Sequence, residues 1–333
     1  MKSVVVTGAG GFVGRALCPV LRQAGWRVVA TTRDAAPLRD LAGVEVCAVA
    51  GLGRETNWSQ ALQGANAVVH LAARVHVSDL RREDDPEFHR VNAAGTRRLA
   101  EEAAKAGVRR FLYVSTANVN GEQRTPEPFS ELDPPAPDDS YARSKLAGEA
   151  AVLDVAGKTG MQAVILRPPL IYGPGVRANF LLLLKGCARL PLLPLGGIAN
   201  RRSLIFVGNF ADAIRCCLEH PKAAGQILLV RDGENLSTPE LVRRMTHALG
   251  RKPSLIPVPT VLLRIVATAL GKRQAVRRLL HSLAIDDGKI RRELGWNPPF
   301  TVEEGLRETA AWFMSRTAPP APAGPAGSGD RLS

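Results

Sequence analysis

Tyr141 and Lys145 stand four residues apart in the stretch YARSK, directly after Asp138, Asp139 and Ser140. Aspartate and serine are common first residues of helices, and on a helix a spacing of four places two side chains on one face. An ammonium group beside a phenol favours the phenolate, so the tyrosine could move a proton near neutral pH despite its usual pKa near 10. An isolated pair of this kind is more often a surface tyrosine and an exposed lysine, so its meaning depends on the elements around it.

A glycine-rich stretch near the N-terminus predicts a place for a nucleotide. Residues 4–14, VVVTGAGGFVG, predict a buried parallel strand, a tight turn and the start of a helix. Gly8 permits the turn, Gly11 lets backbone approach a pyrophosphate, and Gly14 lets the helix pack close to the strand. The first amides of the helix, at Phe12 and Val13, would face the phosphates. The alternative is a strand-to-helix turn that binds nothing.

The composition is typical of a globular protein with a surplus of positive charge. The chain has 333 residues, 45% of them hydrophobic, and 44 Lys and Arg against 31 Asp and Glu give a net charge of +13. Such a surplus favours nucleic acid, an anionic membrane surface or phosphorylated small molecules as partners. Aromatic residues make up only 5% and no zinc-finger spacing occurs, so we predict no nucleic acid and no metal site. Five scattered cysteines, mostly inside apolar runs, indicate reduced core thiols.

The chain enters its first predicted strand without anything like a signal peptide, and we expect a cytoplasmic protein. The most apolar later segment, residues 261–270, is too short to span a bilayer and carries Arg264 in its middle. An amphipathic helix packed on the body is the first interpretation of this segment. Peripheral contact with a membrane surface is the second, because Lys and Arg follow closely within residues 272–278.

Strand and helix patterns alternate along the first half of the chain, which predicts a doubly wound α/β fold with a parallel, Rossmann-type sheet. The predicted strands after the first are residues 27–31, 44–49, 67–71, 110–115 and 162–166. Long helices are predicted at 86–106 and 140–159. Residues 122–140 are rich in proline and acidic residues and predict a surface loop at the functional edge of the sheet.

We predict three regions along the chain. Residues 1–172 form the dinucleotide-binding domain, and residues 173–314 form a smaller, irregular substrate-binding part with elements that return to the sheet. In this second region prolines interrupt short helices and isolated strands. Residues 315–333, almost entirely Pro, Ala, Gly and Ser, predict a disordered tail.

Several motifs in this order resemble the extended short-chain dehydrogenase/reductases, particularly the NAD-dependent epimerase/dehydratase branch that acts on nucleotide sugars. They are TGAGGFVG (7–14), HLAA (70–73), VNAAGT (91–96), FLYVSTANVNG (111–121), YARSK (141–145) and LRPPLIYGPG (166–175). The resemblance implies that Tyr141 is the acid/base and that Lys145 binds the nicotinamide ribose. It also implies that Thr116 bridges the sugar hydroxyl and the tyrosine, and that Ser115 lines the nicotinamide pocket.

The resemblance extends to further contacts with cofactor and substrate. Asn92 matches an asparagine near the active site. The alternative is that Asn92 is an ordinary polar residue on an exposed helix face. Asn179 matches a residue that binds the diphosphate, and Arg202 matches an arginine that pairs with UDP phosphates. Arg277, or its neighbour Arg278, is a candidate for a second such contact. The other implied cofactor contacts are Leu71, Ala72, Ala73 and Pro168.

Two departures from the family pattern concern the choice between NAD and NADP. Relatives that bind NAD carry an acidic residue after the second strand, whereas this chain has Thr32 followed by Arg33. A small residue followed by a cation suits a 2′-phosphate, so we favour NADP over NAD, although Asp34 could still reach the ribose. An acidic residue that contacts adenine after the third strand is also absent, since Gly51 is followed by Leu52.

The resemblance therefore implies hydride transfer at carbon 4 of a UDP-sugar. Our first hypothesis is an NADPH-dependent reductase of a UDP-4-keto-6-deoxy-N-acetylhexosamine for surface polysaccharide synthesis, and the second is a 4-epimerase that retains NAD. A dehydratase is disfavoured because Ala117 and Asn118 replace the acidic pair that follows the hydroxyl residue in such enzymes. A non-catalytic dinucleotide sensor is the alternative from another class. A lipid-diphosphate sugar at a membrane surface, and a homodimer, are the remaining partners that we consider.

Overall fold

The structure is a computed structural model that describes residues 1–33, 38, 41–75, 86–121, 127–269, 271 and 273–317. Its strands are β1 (Ser3–Thr7), β2 (Arg27–Thr32), β3 (Glu45–Ala48), β4 (Ala67–His70), β5 (Arg110–Val114), β6 (Gln162–Arg167), β7 (Leu170–Tyr172), β8 (Arg202–Phe206), β9 (Ile227–Leu229) and β10 (Asn235–Leu236). Its α-helices are α1 (Phe12–Gln23), α2 (Ser59–Leu62), α3 (Pro86–His89), α4 (Thr96–Lys105), α5 (Ser140–Thr159), α6 (Ala178–Arg189), α7 (Val207–Glu219), α8 (Thr238–Ala248), α9 (Thr260–Ala269), α10 (Arg273–Leu280), α11 (Gly288–Leu294) and α12 (Val302–Thr317). A π-helical turn (Arg90–Gly95) joins α3 to α4, and short 3₁₀ turns occupy Ala117–Asn120 and Pro221–Ala223.

The main sheet within those ranges has seven strands in the order β3-β2-β1-β4-β5-β6-β9, and each neighbouring pair is parallel. The register places Val5 of β1 beside Val29 of β2 on one side and Val68 of β4 on the other. The strand order reverses at β1, so a crevice opens beyond the carboxyl ends of β1 and β4. The predicted doubly wound α/β fold is confirmed.

Helices cover both faces of this sheet, because its strands carry apolar side chains on both sides. On one face, Leu17 of α1 packs with Val4 in a shared core. On the other face, Leu99 of α4 and Val152 of α5 pack with Val5. The alternation of Val4 and Val5 between the two cores is the two-residue period of a β-strand, and it holds β1 rigidly between two helical layers.

The C-terminal part has a core of its own around a three-stranded sheet in the order β10-β8-β7. Its large side chains include Tyr172, Phe180 and Phe206, whose rings lie 5.3 to 5.8 Å apart between centroids. Helices α6, α8 and α12 supply much of the rest of this core. Strand β9 and helix α7 return to the main sheet. The division at residue 172 stays a prediction, and β7, just before it, already pairs within the smaller sheet.

Three details differ from the predictions. The helix at 86–106 is interrupted by the π-turn, because Asn92 turns inward and Gly95 packs directly against Leu52. Helix α12 extends to Thr317, three residues into the predicted tail. Helix α9 packs on the body only along a narrow face, since Ala267 is its only buried residue among those described and Leu263 is half-buried, and its other apolar side chains are exposed. Within the described ranges, no helix is long and apolar enough to cross a bilayer. Residues 34, 122–126 and 318–333, on which further predictions fall, lie outside the described ranges.

Candidate active site

The glycine-rich turn between β1 and α1 is shaped by close backbone contacts. Gly8 has a φ of +70°, and a Cβ there would lie 2.8 Å from the amide nitrogen of Ala72, which follows β4. A Cβ on Gly14 would lie 2.5 Å from the Cα of Ala9, so only glycine lets α1 approach the turn. Gly11 is the N-cap of α1 and has no side chain to cap the helix amides. These amides therefore remain available to an anionic group at the crevice.

The HLAA motif is tied to this turn by a chain of buried hydrogen bonds. Thr7 Oγ1 accepts from the Ala72 amide at 3.1 Å and lies 2.6 Å from His70 Nδ1, while His70 Nε2 lies 3.0 Å from Thr96 Oγ1. Thr96 donates its hydroxyl proton to the carbonyl of Asn92 at 2.7 Å, so His70 Nε2 is the donor to Thr96. Burial, and secondarily the charge of Lys145, lower the pKa of His70 well below its usual value, so the imidazole is neutral.

Asn92 is buried, with 1% of its surface exposed, and does not lie on an exposed helix face. Its Oδ1 accepts from the amide of Arg74 at 2.7 Å, and its Nδ2 donates to the carbonyl of Arg74 at 2.9 Å and to Ser144 Oγ at 3.0 Å. Ser144 in turn donates to the carbonyl of Tyr141 at 2.7 Å. The side chain thus fastens the segment after β4 to the first turn of α5, which carries Tyr141.

Helix α5 begins and ends where the sequence predicts. Asp139 Oδ1 accepts from the amide of Ala142 at 2.7 Å, and Gly160 ends the helix with a φ of +74°. Tyr141 is half-buried, with its ring 6.2 Å from that of Phe88 in an edge-to-face arrangement. The first turn of α5 thereby presents a partly accessible phenol beside a buried helix face.

Lys145 lies one turn further along α5 and is 2% exposed. Its Nζ is 4.1 Å from the centroid of the Tyr113 ring on β5. Gly148 makes this approach feasible, because a Cβ there would lie 2.3 Å from the Tyr113 hydroxyl oxygen. The predicted Tyr141 and Lys145 pair therefore shares one helix face, and the sheet holds the lysine by a cation–π contact.

Burial shifts the pKa values of both members of the pair. Burial lowers the pKa of Lys145 to about 7, against the opposing charge of Glu149. Burial, and secondarily the charge of Asp139, raise the pKa of Tyr141 to about 12. A raised pKa favours the protonated phenol of Tyr141.

A buried ion pair that the sequence did not predict lies one helical turn after Lys145. Arg167 at the end of β6 donates to both carboxylate oxygens of Glu149, at 2.9 and 2.6 Å, and both side chains are nearly inaccessible. Glu149 follows Lys145 by four residues, so the same helical spacing that joins Tyr141 and Lys145 could have identified it. The contact with β6 could not be predicted, since it depends on the packing of α5 on the sheet.

Ser115 and Thr116 lie where β5 leaves the sheet. Thr116 caps the 3₁₀ turn by accepting from the amide of Asn118 at 3.2 Å, and Ala117 donates its amide to the carbonyl of Pro168 at 2.8 Å. Among the described residues, the buried Ser115 Oγ has no hydrogen-bond partner. A buried hydroxyl without a partner, at the edge where a nicotinamide amide would lie, fits a bound dinucleotide.

The end of β2, where the ribose of the cofactor is expected, carries a half-buried Thr32 and an exposed Arg33. Leu52, after β3, packs into the core between the sheet and α4, and a Cβ on Gly95 would lie 2.8 Å from its Cγ. Leu52 therefore contributes apolar surface at this edge of the crevice, where the resemblance led us to look for an acidic residue.

The predicted substrate residues lie on three elements of the smaller part. Asn179 is exposed in the first turn of α6, directly after Ala178, whose φ of +52° is unusual for a residue with a side chain. Arg202, on β8, is half-buried, and burial lowers the pKa of its guanidinium. Arg277 is exposed on α10, whose following segment pairs with β8 through Leu283. Arg202 and the helix of Arg277 are thus neighbours.

The loop after β7 brings the smaller part to the dinucleotide turn. A Cβ on Gly175 would lie 3.5 Å from the ring of Phe12, the first residue of α1. The predicted cofactor and substrate segments therefore meet at the N-terminus of α1. Within the ranges that the structure describes, no group of three or more His, Cys, Asp or Glu side chains could hold a metal ion.

Comparison with known proteins finds relatives that match nearly the whole chain. The model of the NAD dependent epimerase/dehydratase family matches residues 4–230. A UDP-glucose 4-epimerase from Vibrio cholerae is 38% identical over 317 residues, covering 94% of this chain and 96% of the relative. A ceramide reductase from Caulobacter vibrioides is 36% identical over 263 residues, covering 77% of this chain and 73% of the relative.

A solved structure of MoeE5 in complex with UDP-glucuronic acid and NAD superposes with a TM-score of 0.75 at 26% identity. It covers 95% of this chain and 100% of that chain. Together, the sheet order, the Tyr141 and Lys145 pair and these similarities confirm the resemblance drawn from the motifs. The chain is an enzyme that belongs to the NAD dependent epimerase/dehydratase family of extended short-chain dehydrogenase/reductases.

Proposed function

We propose that this enzyme changes the oxidation state at carbon 4 of a UDP-linked sugar, and that it does so as an NADPH-dependent reductase of a 4-keto sugar. The observation that carries the proposal is the half-buried Tyr141 one helical turn from the buried Lys145. A keto group that gains a hydride needs a proton on its oxygen, and the phenol of Tyr141 can donate one.

The residues of the chain have separate parts in this reaction. Tyr141 donates its phenolic proton to the oxygen on carbon 4, and the hydride for that carbon would come from a reduced nicotinamide dinucleotide, once one is bound. Thr116 holds the sugar oxygen beside Tyr141. Lys145 binds the ribose of the cofactor, and Ser115 gives its unpartnered hydroxyl to the nicotinamide amide. Arg202 and Asn179 bind the diphosphate of the sugar nucleotide, for which a guanidinium and an amide are well suited.

We propose that the following residues contact the dinucleotide along the crevice. Gly8, Gly11 and Gly14 admit the pyrophosphate, and the amides of Phe12 and Val13 donate to it. The Leu71, Ala72 and Ala73 segment and Pro168 form the walls on either side. Asn92 has a positioning role, because its side chain holds Ser144 and the segment at Arg74. Family membership supports a nicotinamide dinucleotide, and Arg33 is the basis for preferring its phosphorylated form.

A 4-epimerase is the second candidate, and the Vibrio cholerae relative named as a UDP-glucose 4-epimerase favours it. The same residues serve both reactions, because an epimerase removes and then returns the same hydride at carbon 4. A dehydratase is disfavoured because Ala117 is buried and Asn118 is an amide, so neither provides the acid that loss of water needs.

Cofactor exchange distinguishes the two candidates. We expect the purified protein to release little nicotinamide dinucleotide on denaturation and to consume one NADPH per UDP-4-keto sugar, followed by absorbance. Near-stoichiometric bound NAD with no consumption of NADPH would instead establish the epimerase.

Arg33→Ala is expected to weaken NADPH binding and to leave NADH binding nearly unchanged. Arg109→Ala, at the opposite edge of the sheet, is the control.

The proton donor is tested with the true substrate. Tyr141→Phe removes only the transferable proton, so turnover is expected to fall by about 10²- to 10⁴-fold while cofactor affinity is retained. Tyr172→Phe is the matched control, because its hydroxyl interacts within the smaller part, with the carbonyl of Val302 at 3.4 Å and with the Asp232 side chain. Equal turnover for Tyr141→Phe and Tyr172→Phe would refute the assignment.

A further inference from the structure

Helix α9 turns its apolar side chains away from the protein. Ala267 is buried and Leu263 is half-buried, so these two residues mark the face that packs on the body. Val261 and Ile265, with 65% and 61% of their surfaces exposed, lie four residues apart on the far face. Leu262 and Val266 are also exposed and widen that face. A helix that only covered the core would have the opposite arrangement.

A second segment extends this apolar surface. The backbone of Leu193 exchanges hydrogen bonds with Ser254 and Ile256 at 3.0 Å, so residues 190–193 lie beside the segment that leads into α9. Leu193 is buried, whereas Leu190, Leu192 and Ile256 are exposed. We call these three residues and the four on α9 the apolar face. The other exposed large apolar side chains of the described residues are scattered along the sequence.

The segments that form the apolar face carry positive charge and no negative charge. Residues 174–211 and 251–285 contain no Asp or Glu, although they contain five and seven Lys or Arg, respectively. Around the apolar face, Lys185, Arg189, Lys252 and Arg264 are exposed. The charge surplus of the chain is therefore concentrated where apolar side chains are also displayed.

From this combination we infer that the apolar face docks on the surface of an anionic phospholipid bilayer, with α9 lying in the plane of the interface. Apolar side chains on such a helix enter the boundary between headgroups and acyl chains, and flanking cations contact the anionic headgroups. A second copy of the chain is a poorer occupant, because it would bring two positively charged surfaces together. The inference concerns where the enzyme binds and is independent of the sugar that it converts.

Vesicle flotation of the full chain tests the docking surface. We expect the protein to float with vesicles of phosphatidylcholine and phosphatidylglycerol at low salt, and to bind vesicles of phosphatidylcholine alone at least about tenfold more weakly. Ile265→Asp is expected to lower binding to the anionic vesicles about tenfold or more, since it places a charge in the apolar region. Leu132→Asp is the matched control, because Leu132 is a leucine 94% exposed outside the apolar face.

Several outcomes would overturn the inference. These are the absence of flotation with anionic vesicles at low salt, equal losses for Ile265→Asp and Leu132→Asp, or unchanged binding of Ile265→Asp. Light scattering without vesicles measures whether the apolar face instead binds a second copy of the chain. A dimer that Ile265→Asp converts to a monomer would assign the face to that second copy. Val261→Asp repeats the test at an independent position, and circular dichroism verifies that each variant is folded.

Discussion

The hydrogen-bonded network beneath Tyr141 and the apolar face around α9 both depart from the usual distribution of side chains, in opposite ways. The network buries polar groups such as His70, Asn92 and Glu149, whereas the apolar face exposes large apolar ones. Buried polar groups are tolerated when their partners lie within the protein, and each of these three has such partners. The comparison shows that one region is completed internally, while the other calls for a partner outside the chain.

The largest effect on stability should come from breaking the ion pair in the buried network. Arg167→Met leaves the Glu149 carboxylate buried without its partner, and we expect the free energy of unfolding to fall by about 3–5 kcal/mol. Arg215→Met is the control, because Arg215 pairs with Asp212 and Glu219 at the surface, where such pairs contribute about 0–1 kcal/mol. Urea unfolding of both variants measures the difference, and similar losses would contradict the special role of burial.

The lysine in the network should also make stability depend on pH. The folded pKa of Lys145 is about 7 and its unfolded value is near 10.4, so between these values the unfolded chain binds the extra proton. Stability therefore rises with pH in this window, by roughly 2 kcal/mol between about pH 7 and pH 8.5. Lys145→Met should remove this rise, as measured by urea unfolding at the two pH values. Equal pH dependence in both proteins would show that Lys145 is not desolvated.

A smaller loss is expected at the glycine that lets α1 reach the turn. Gly14→Ala forces the backbone at Ala9 to shift, and we expect a cost of about 1–3 kcal/mol together with weaker dinucleotide binding. Gly157→Ala on α5 meets no atom within 4 Å and should instead stabilise the protein by about 0.5–1 kcal/mol. Thermal unfolding with and without NADPH compares the two variants, and a Gly14→Ala protein as stable as wild type would refute the close contact.

The smallest effect is expected on the apolar face itself. Val261→Asp should change the free energy of unfolding by less than about 0.5 kcal/mol, because the side chain has few contacts with the protein. Urea unfolding of the isolated protein measures this value. A loss of several kcal/mol would show that Val261 is packed in the free protein, and it would remove the contrast between the two regions.

Much of the dinucleotide region could be predicted from the sequence because its signals are local. The capping Asp139 and the terminal Gly160 define α5, and β-branched runs define the strands of the sheet. The π-turn, the buried Asn92 and the partner of Glu149 could not be predicted, because each depends on contacts between elements far apart in sequence. The choice between the two interpretations of α9 could not be made from the sequence for the same reason, since an apolar helix has the same residue pattern whether its apolar side chains pack inward or face outward.

The π-turn at Arg90–Gly95 also bears on which changes in chain length this region can accept. A π-turn contains one residue more than an α-helix of the same rise, so deleting one residue there would produce a regular helix from α3 to α4. Such a deletion would leave the flanking helices α3 and α4 in their present relative orientation, because only the additional residue would be removed. Asn92 and Thr96 both belong to the buried network, through Arg74 and His70 respectively, and side chains three or four residues apart share one face of a regular helix. The additional residue is therefore accommodated within the turn, and a chain shorter by one residue here should keep α3, α4 and the His70 contact in place as long as Asn92 and Thr96 are retained.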